Sequence, residues 1–160
     1  MALRRTMALA LAAAVACGAA AAQDDAEALS PGGKAVMVRQ GHYKDLGKAF
    51  VGLSSELRKD APDKAAISTG ATTVNSLAQD LPSWFPKGSG PEAGVKTAAK
   101  AEIWTDAAGF AAAARNLQVE AAKLQAVALA GDLDAVRAQV RATGAACKAC
   151  HDQYRQPEQR

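Results

Sequence analysis

Four stretches of this 160-residue chain set their apolar residues three and four positions apart, and that spacing restricts the fold more than anything else in the sequence. From Lys34 to Arg58 the seam reads Val36, Arg39, Tyr43, Leu46, Phe50, Leu53 and Leu57. Successive helical residues turn by about 100°, so steps of three and four keep one face toward a neighbour. A second stretch, about Asp63 to Leu81, places Ile67, Val74 and Leu81 seven apart with Ala71 and Ala78 between them, and Pro62 suits its first turn. A third, about Glu102 to Leu129, alternates large and small residues: Ile103, Ala107, Phe110, Ala114, Leu117, Ala121, Leu124, Ala128. Gly131 ends it and Asp132 can cap the fourth, where Leu133, Val136, Val140, Thr143, Cys147, Cys150 and Tyr154 share a face. No stretch shows the period of two that marks a half-buried strand. The expectation is an all-α, antiparallel four-helix bundle.

Between the second and third helices lies the one long loop, PSWFPKGSGPEAGVKTAAK from Pro82 to Lys100, rich in proline and glycine. Its aromatic pair, Trp84 and Phe85, reads as a cap on the open end of the core. Aromatic residues make up only 4% of the chain and alanine is abundant, so the core is thin. A few large side chains worth roughly 1.5–3 kcal/mol each when buried must offset an ordering cost of about 1–2 kcal/mol per residue. Without something more to fill it, such a bundle is marginal.

The chain opens MALRRTMALALAAAVACGAAAAQ, with Arg4 and Arg5 before an apolar stretch and then small residues, the pattern of a secretory signal peptide. Cleavage after Ala22 divides the chain into a leader, 1–22, and one mature domain, 23–160. The apolar run falls short of the about 20 residues that span a bilayer. Ala14-Val15-Ala16-Cys17 is a weaker match to a lipoprotein site with Cys17 acylated, since Ala14 replaces a larger aliphatic residue. Either route leads out of the cytoplasm, and the periplasm is the expected location. Losing the leader removes two arginines and no acid, leaving 17 basic and 16 acidic residues and a net charge of +1. No basic footprint for nucleic acid remains.

Only Cys147 and Cys150 survive that cleavage, and both sit in CKACH, the spacing of a c-type haem attachment site. Two thiols can add to the two vinyl groups on one edge of a porphyrin, while His151 ligates the iron from one face. A thioredoxin-like pair would sit in a βαβ setting at the start of a helix, whereas CKACH falls near the end of one. A zinc site would have only His42 as a further nitrogen ligand and would need carboxylates. One covalent haem c is therefore expected, with His151 as the axial ligand.

These features together, GAACKACHDQYR near the C-terminus, the leader, four helical segments and the Arg39-Gln40 pair early in the first helix, resemble the class II c-type cytochromes, the cytochrome c prime family. The resemblance covers nearly all of the mature chain. CKACH marks c-type haem in general; its C-terminal position in a helical bundle points to this class, since mitochondrial-type cytochromes c carry it near the N-terminus.

The resemblance implies a haem inside the bundle, with His151 on its proximal side and the first helix across its distal face. It places Arg39 beside the haem propionates, which suit a bidentate guanidinium; an ion pair with a bundle carboxylate is the plainer alternative. The position four after Arg39 separates family members with an open sixth iron site from those ligated by methionine. Here it is Tyr43, and an aromatic there resembles the five-coordinate members.

Met37 points about 150° from the seam and His42 about 70°, so Met37 is expected to be exposed and His42 to sit at the rim, as a lesser candidate for a sixth ligand. The function implied is single-electron transfer with periplasmic or membrane redox partners, and the alternative is binding or buffering of nitric oxide as a diatomic gas. Catalysis is not expected, since His42 is the lone acid–base candidate on the distal side. Family members commonly form homodimers through their first two helices, and a homodimer is carried on that resemblance alone.

Overall fold

The computed structural model describes residues 29–157; the leader, Cys17 and the cleavage site after Ala22 lie outside them. Four long helices form: α1 (Pro31–Glu56), α2 (Lys64–Asp80), α4 (Ala107–Ala130) and α5 (Leu133–Tyr154), with a single turn, α3 (Glu102–Thr105), before α4. α1 packs on α2, α2 on α4 and α4 on α5. This is the all-α, antiparallel four-helix bundle read from the seams. Among the described residues the only β pairing is one isolated bridge, Ala99 with Arg155.

Side-chain caps set the helix ends. Ser30 Oγ accepts from Gly33 N at 3.0 Å with Pro31 in first position, and Asp132 accepts from Asp134 N and Ala135 N at 3.1 and 3.0 Å. Gly131 closes α4 with φ 73°, a left-handed conformation that glycine adopts without a Cβ clash. At α2 the outcome differs from the expectation for Pro62. Asp63 is the cap, accepting from Ala65 N and Ala66 N at 2.8 and 3.2 Å, so Pro62 precedes the helix and does not sit in its first turn.

The third seam is also interrupted where a continuous helix was expected. Asp106, at φ −115° and ψ 58°, leaves helical geometry and caps a new helix through Gly109 N at 3.1 Å, while its other oxygen accepts from Tyr154 OH at 2.8 Å. The break changes the helical phase. Ala107, assigned to the seam, is exposed, whereas Phe110, Ala114, Leu117, Ala121, Leu124 and Ala128 are buried as read. The seams of α1, α2 and α5 close on the same core, with Tyr43, Phe50, Val140, Cys147 and Cys150 half-buried at its edge.

The long loop is folded against the bundle. It contains two 3₁₀ turns, Leu81–Trp84 and Pro91–Ala93, and Trp84 is buried as the expected core cap. Its middle meets the start of α1 backbone to backbone: a Cβ on Gly32 would lie 1.8 Å from the Gly88 carbonyl oxygen. Ser30 Oγ adds a hydrogen bond to Ala93 O at 3.3 Å.

Two glycines of α1 should therefore respond oppositely to alanine. Gly32→Ala must push the loop off the helix and should destabilise the protein by about 1–3 kcal/mol. Around Gly47 nothing lies within 4 Å of the added Cβ, so Gly47→Ala should stabilise by roughly 0.5–1 kcal/mol. Denaturant titration of the two variants checks both signs.

Candidate haem site

At one end of the bundle a cleft opens between α1 and α5 beneath the long loop. Its volume is about 460 Å³, within the roughly 300–1,000 Å³ of cofactor and small-molecule sites. α1 contributes Arg39 and Tyr43, the loop Phe85, α4 Phe110, and α5 Cys150 and His151. Of the residues expected from the sequence, Arg39, Tyr43, Cys150 and His151 thus line one cavity; Cys147 lies one turn back, half-buried against the core.

On the α5 wall both cysteines are free. Burial pushes both thiols above their ordinary pKa, with Cys147 adding to the effect on Cys150, so both remain protonated. The His151 imidazole is moved the other way: loss of solvent and then the nearby Arg155 lower its pKa against the opposing pull of Asp152. Its ring borders the cleft although much of the residue's surface is exposed. A neutral imidazole has the free lone pair that a metal ligand needs.

The end of α5 is fastened from outside. Gln156 N donates to Ala98 O at 2.7 Å, Lys100 N to Tyr154 O at 3.0 Å and Lys100 Nζ to Gln153 O at 3.0 Å. With the Tyr154–Asp106 bond, these fix the turn that carries His151.

On the α1 wall, Arg39 is only 2% exposed and forms no ion pair among the described residues. Nη1 donates to Trp84 O at 3.2 Å and Ser89 Oγ at 3.0 Å, and Nη2 to Ser89 O at 2.9 Å and Thr97 Oγ1 at 3.1 Å. Its Cζ lies 4.6 Å from the Phe85 ring centre and 6.0 Å from that of Trp104. The alternative of a bundle carboxylate is not what the geometry shows: every acceptor is neutral. Desolvation lowers the Arg39 pKa, with Tyr43 opposing, yet a guanidinium stays charged. A buried cation without a counter-charge is costly, and this one borders a cavity that an anionic group could enter.

Tyr43 is half-buried, its ring edge-on to Trp84 at 5.2 Å and to Phe85 at 6.3 Å. Burial raises its phenol above the ordinary value, with Cys150 the next contributor, so it is neutral at physiological pH. His42 stacks on Trp84 at 4.8 Å and 21° and does not line the cleft. Met37 is exposed, as its helical phase requires.

Several residues that shape the site had no periodic signal in the sequence. Ser89, wholly buried between Gly88 and Gly90, accepts from Arg39 through both side chain and backbone, and Thr97 completes that set. Only the flanking glycines hinted that the chain is tightly folded there. Trp104, whose Nε1 donates to Phe85 O and Pro86 O at 3.2 Å each, lies just before the unforeseen break at Asp106. Among the described residues no three of His, Cys, Asp and Glu gather as a metal site, so the carboxylate-assisted zinc alternative finds no site there.

Comparison with known proteins agrees with this geometry. The profile of the Cytochrome C' family matches residues 34–155. Cytochrome c' of Alcaligenes xylosoxydans xylosoxydans is 39% identical over 122 residues, 76% of this chain and 92% of that protein. A solved nitric oxide complex of a variant of cytochrome c prime from Alcaligenes xylosoxidans superimposes with a TM-score of 0.72 at 32% identity, covering 82% of this chain and all of that one. A cytochrome c' described as having ligand-controlled dimer dissociation gives a TM-score of 0.74 at 26% identity, covering 81% of this chain and 99% of its own. The bundle, its cleft and these matches agree: the chain belongs to the cytochrome c prime family of haem c-binding proteins.

Proposed function

We propose that this protein is an exported, periplasmic carrier of single electrons, with one haem c bound covalently through Cys147 and Cys150, His151 as axial ligand and a five-coordinate iron. The observation that carries the reading is the pairing of walls: His151 on α5 and an aromatic residue that is not a ready ligand, Tyr43, on α1 border one cleft. Bound haem supplies the one-electron couple and, with its sixth position open, a place for a diatomic gas.

The chain's own residues account for the remainder. Cys147 and Cys150, one helical turn apart and protonated, are the two thiols for covalent attachment. His151, kept neutral, is held in place by the bonds that secure the end of α5. Arg39 offers the cleft an uncompensated positive charge suited to a propionate. Tyr43, backed by Trp84 and Phe85, excludes water from the α1 side. His42, the one imidazole that could act there as an acid or base, is turned onto Trp84, which supports a carrier over a catalyst.

A second reading, binding or buffering of nitric oxide, is favoured by the nitric oxide complex of the solved relative. Tyr43 would then have to yield to the entering gas. The relative with ligand-controlled dimer dissociation supports a homodimer as part of either reading.

The full-length protein, produced in a host that matures c-type cytochromes, should carry covalent haem with a high-spin visible and electron paramagnetic resonance spectrum that shifts on adding nitric oxide. Absence of covalent haem overturns the proposal. His42→Ala should leave the spectrum unchanged; a low-spin spectrum abolished by that substitution would make the protein a six-coordinate carrier.

Tyr43→Ala should speed nitric oxide association. Its two edge-on ring contacts, each worth about 0.5–1.5 kcal/mol, correspond together to roughly 10–100-fold. Tyr43 ionises only above the ordinary tyrosine value of about 10. The visible spectrum should therefore show no tyrosinate band as pH rises to 10, matching Tyr43→Phe throughout; a band present only in the parent protein would contradict this.

A further inference from the structure

Tyrosine occurs twice in the chain, and both residues, Tyr43 and Tyr154, border the cleft. Tyr43 is held through its ring, by Trp84 and Phe85. Tyr154 is held through its hydroxyl, which donates to Asp106 Oδ2 at 2.8 Å, while its ring lies edge-on to Phe110 at 5.4 Å. Only 5% of Tyr154 is exposed, whereas Asp106 reaches solvent. The phenol is shielded and its proton acceptor is not.

Fixing the end of α5 asks for no base at this position. Main-chain bonds from Lys100 N to Tyr154 O and from Gln156 N to Ala98 O already tie it to the loop, and Asp106 caps α4 through its other oxygen, Oδ1. A neutral acceptor would serve a structural bond equally well. The carboxylate adds a base 2.8 Å from the phenol oxygen, within the about 2.6–3.2 Å over which a general base takes a proton.

Losing an electron turns a phenol into a strong acid, so a tyrosine gives one up readily only where its proton has somewhere to go. The hydrogen bond to Asp106, and then loss of solvent, raise the Tyr154 pKa, so the proton stays on the oxygen until the electron departs. His151 lies three residues earlier on the same helix, and therefore on the same face. Both residues border the cleft.

We propose that Tyr154, with Asp106 as its proton acceptor, is a redox-active tyrosine that supplies an electron to the haem when hydrogen peroxide oxidises it. The inference rests on the reading of a covalent haem with an open iron site, which peroxide must reach. Hydrogen peroxide gains two electrons and two solvent protons, its O–O bond breaks, and two water molecules form. One electron comes from the haem and the other from Tyr154, whose O–H bond breaks; the proton moves to Asp106 Oδ2 and a neutral phenoxyl radical remains. One oxidising equivalent is drained from the haem per protein, which is protection and not turnover.

The test mixes the oxidised, haem-containing full-length protein rapidly with hydrogen peroxide and freezes it for electron paramagnetic resonance. A free-radical signal should appear, and it should narrow in protein grown on ring-deuterated tyrosine. Tyr154→Phe, which keeps a ring against Phe110, should abolish the signal and speed the loss of visible haem absorption. Asp106→Asn keeps a helix-capping side chain without the base, and should slow radical formation by about 10²-fold, the low end of what a positioned base contributes. The haem spectrum before mixing should match in all three proteins. A signal insensitive to deuterium, a signal that survives Tyr154→Phe, or a rate that Asp106→Asn leaves unaltered overturns the proposal. Covalent haem that yields no radical also overturns it and leaves the carrier reading intact; absence of covalent haem overturns both.

Discussion

Arg39 carries its charge into one end of the bundle and meets only neutral oxygen atoms and aromatic faces there. Its four hydrogen bonds reach Trp84, Ser89 and Thr97, so the guanidinium binds the long loop to α1 along most of its length. The same loop is tied to the end of α5 through Ala98 and Lys100. Residues 96–100 are therefore bonded to both α1 and α5 at this end of the bundle. The cleft lies beneath this segment, which is held at both edges.

How much of this the sequence disclosed depended on periodicity. Helical phase alone placed Val36, Leu53, Ile67, Val74, Leu117 and Leu124 in the core, kept Met37 outside and put Cys147 and Cys150 on the buried face, where they lie half-buried at the core's edge. It failed at Asp106, because a carboxylate that caps one helix while accepting from Tyr154 OH, 48 residues away, leaves no mark in a local pattern. Ala107 was misplaced for that reason. Pro62 was misplaced on a smaller scale: Asp63, the stronger cap, was its neighbour.

The site was legible in its chemistry and less so in its support. CKACH and the residue four beyond Arg39 were visible as short motifs. The partners of Arg39 were not, since they come from an irregular loop in which a buried serine between glycines has no period to betray it. The position of His42 depended on Trp84: its ring stacks on that indole and stays out of the cleft, whereas helical phase could place it only near the rim.

One consequence of the alternating seam of α4 concerns temperature. Alanine at 114, 121 and 128 lets neighbouring helices approach closely, but each such position exposes little hydrocarbon when the chain unfolds. Heat capacity of unfolding arises chiefly from hydrated apolar surface. A bundle built on so many alanines should fall toward the low end of the about 12–15 cal/mol/K per residue usual for globular proteins, which flattens its stability curve and weakens the drive to unfold in the cold.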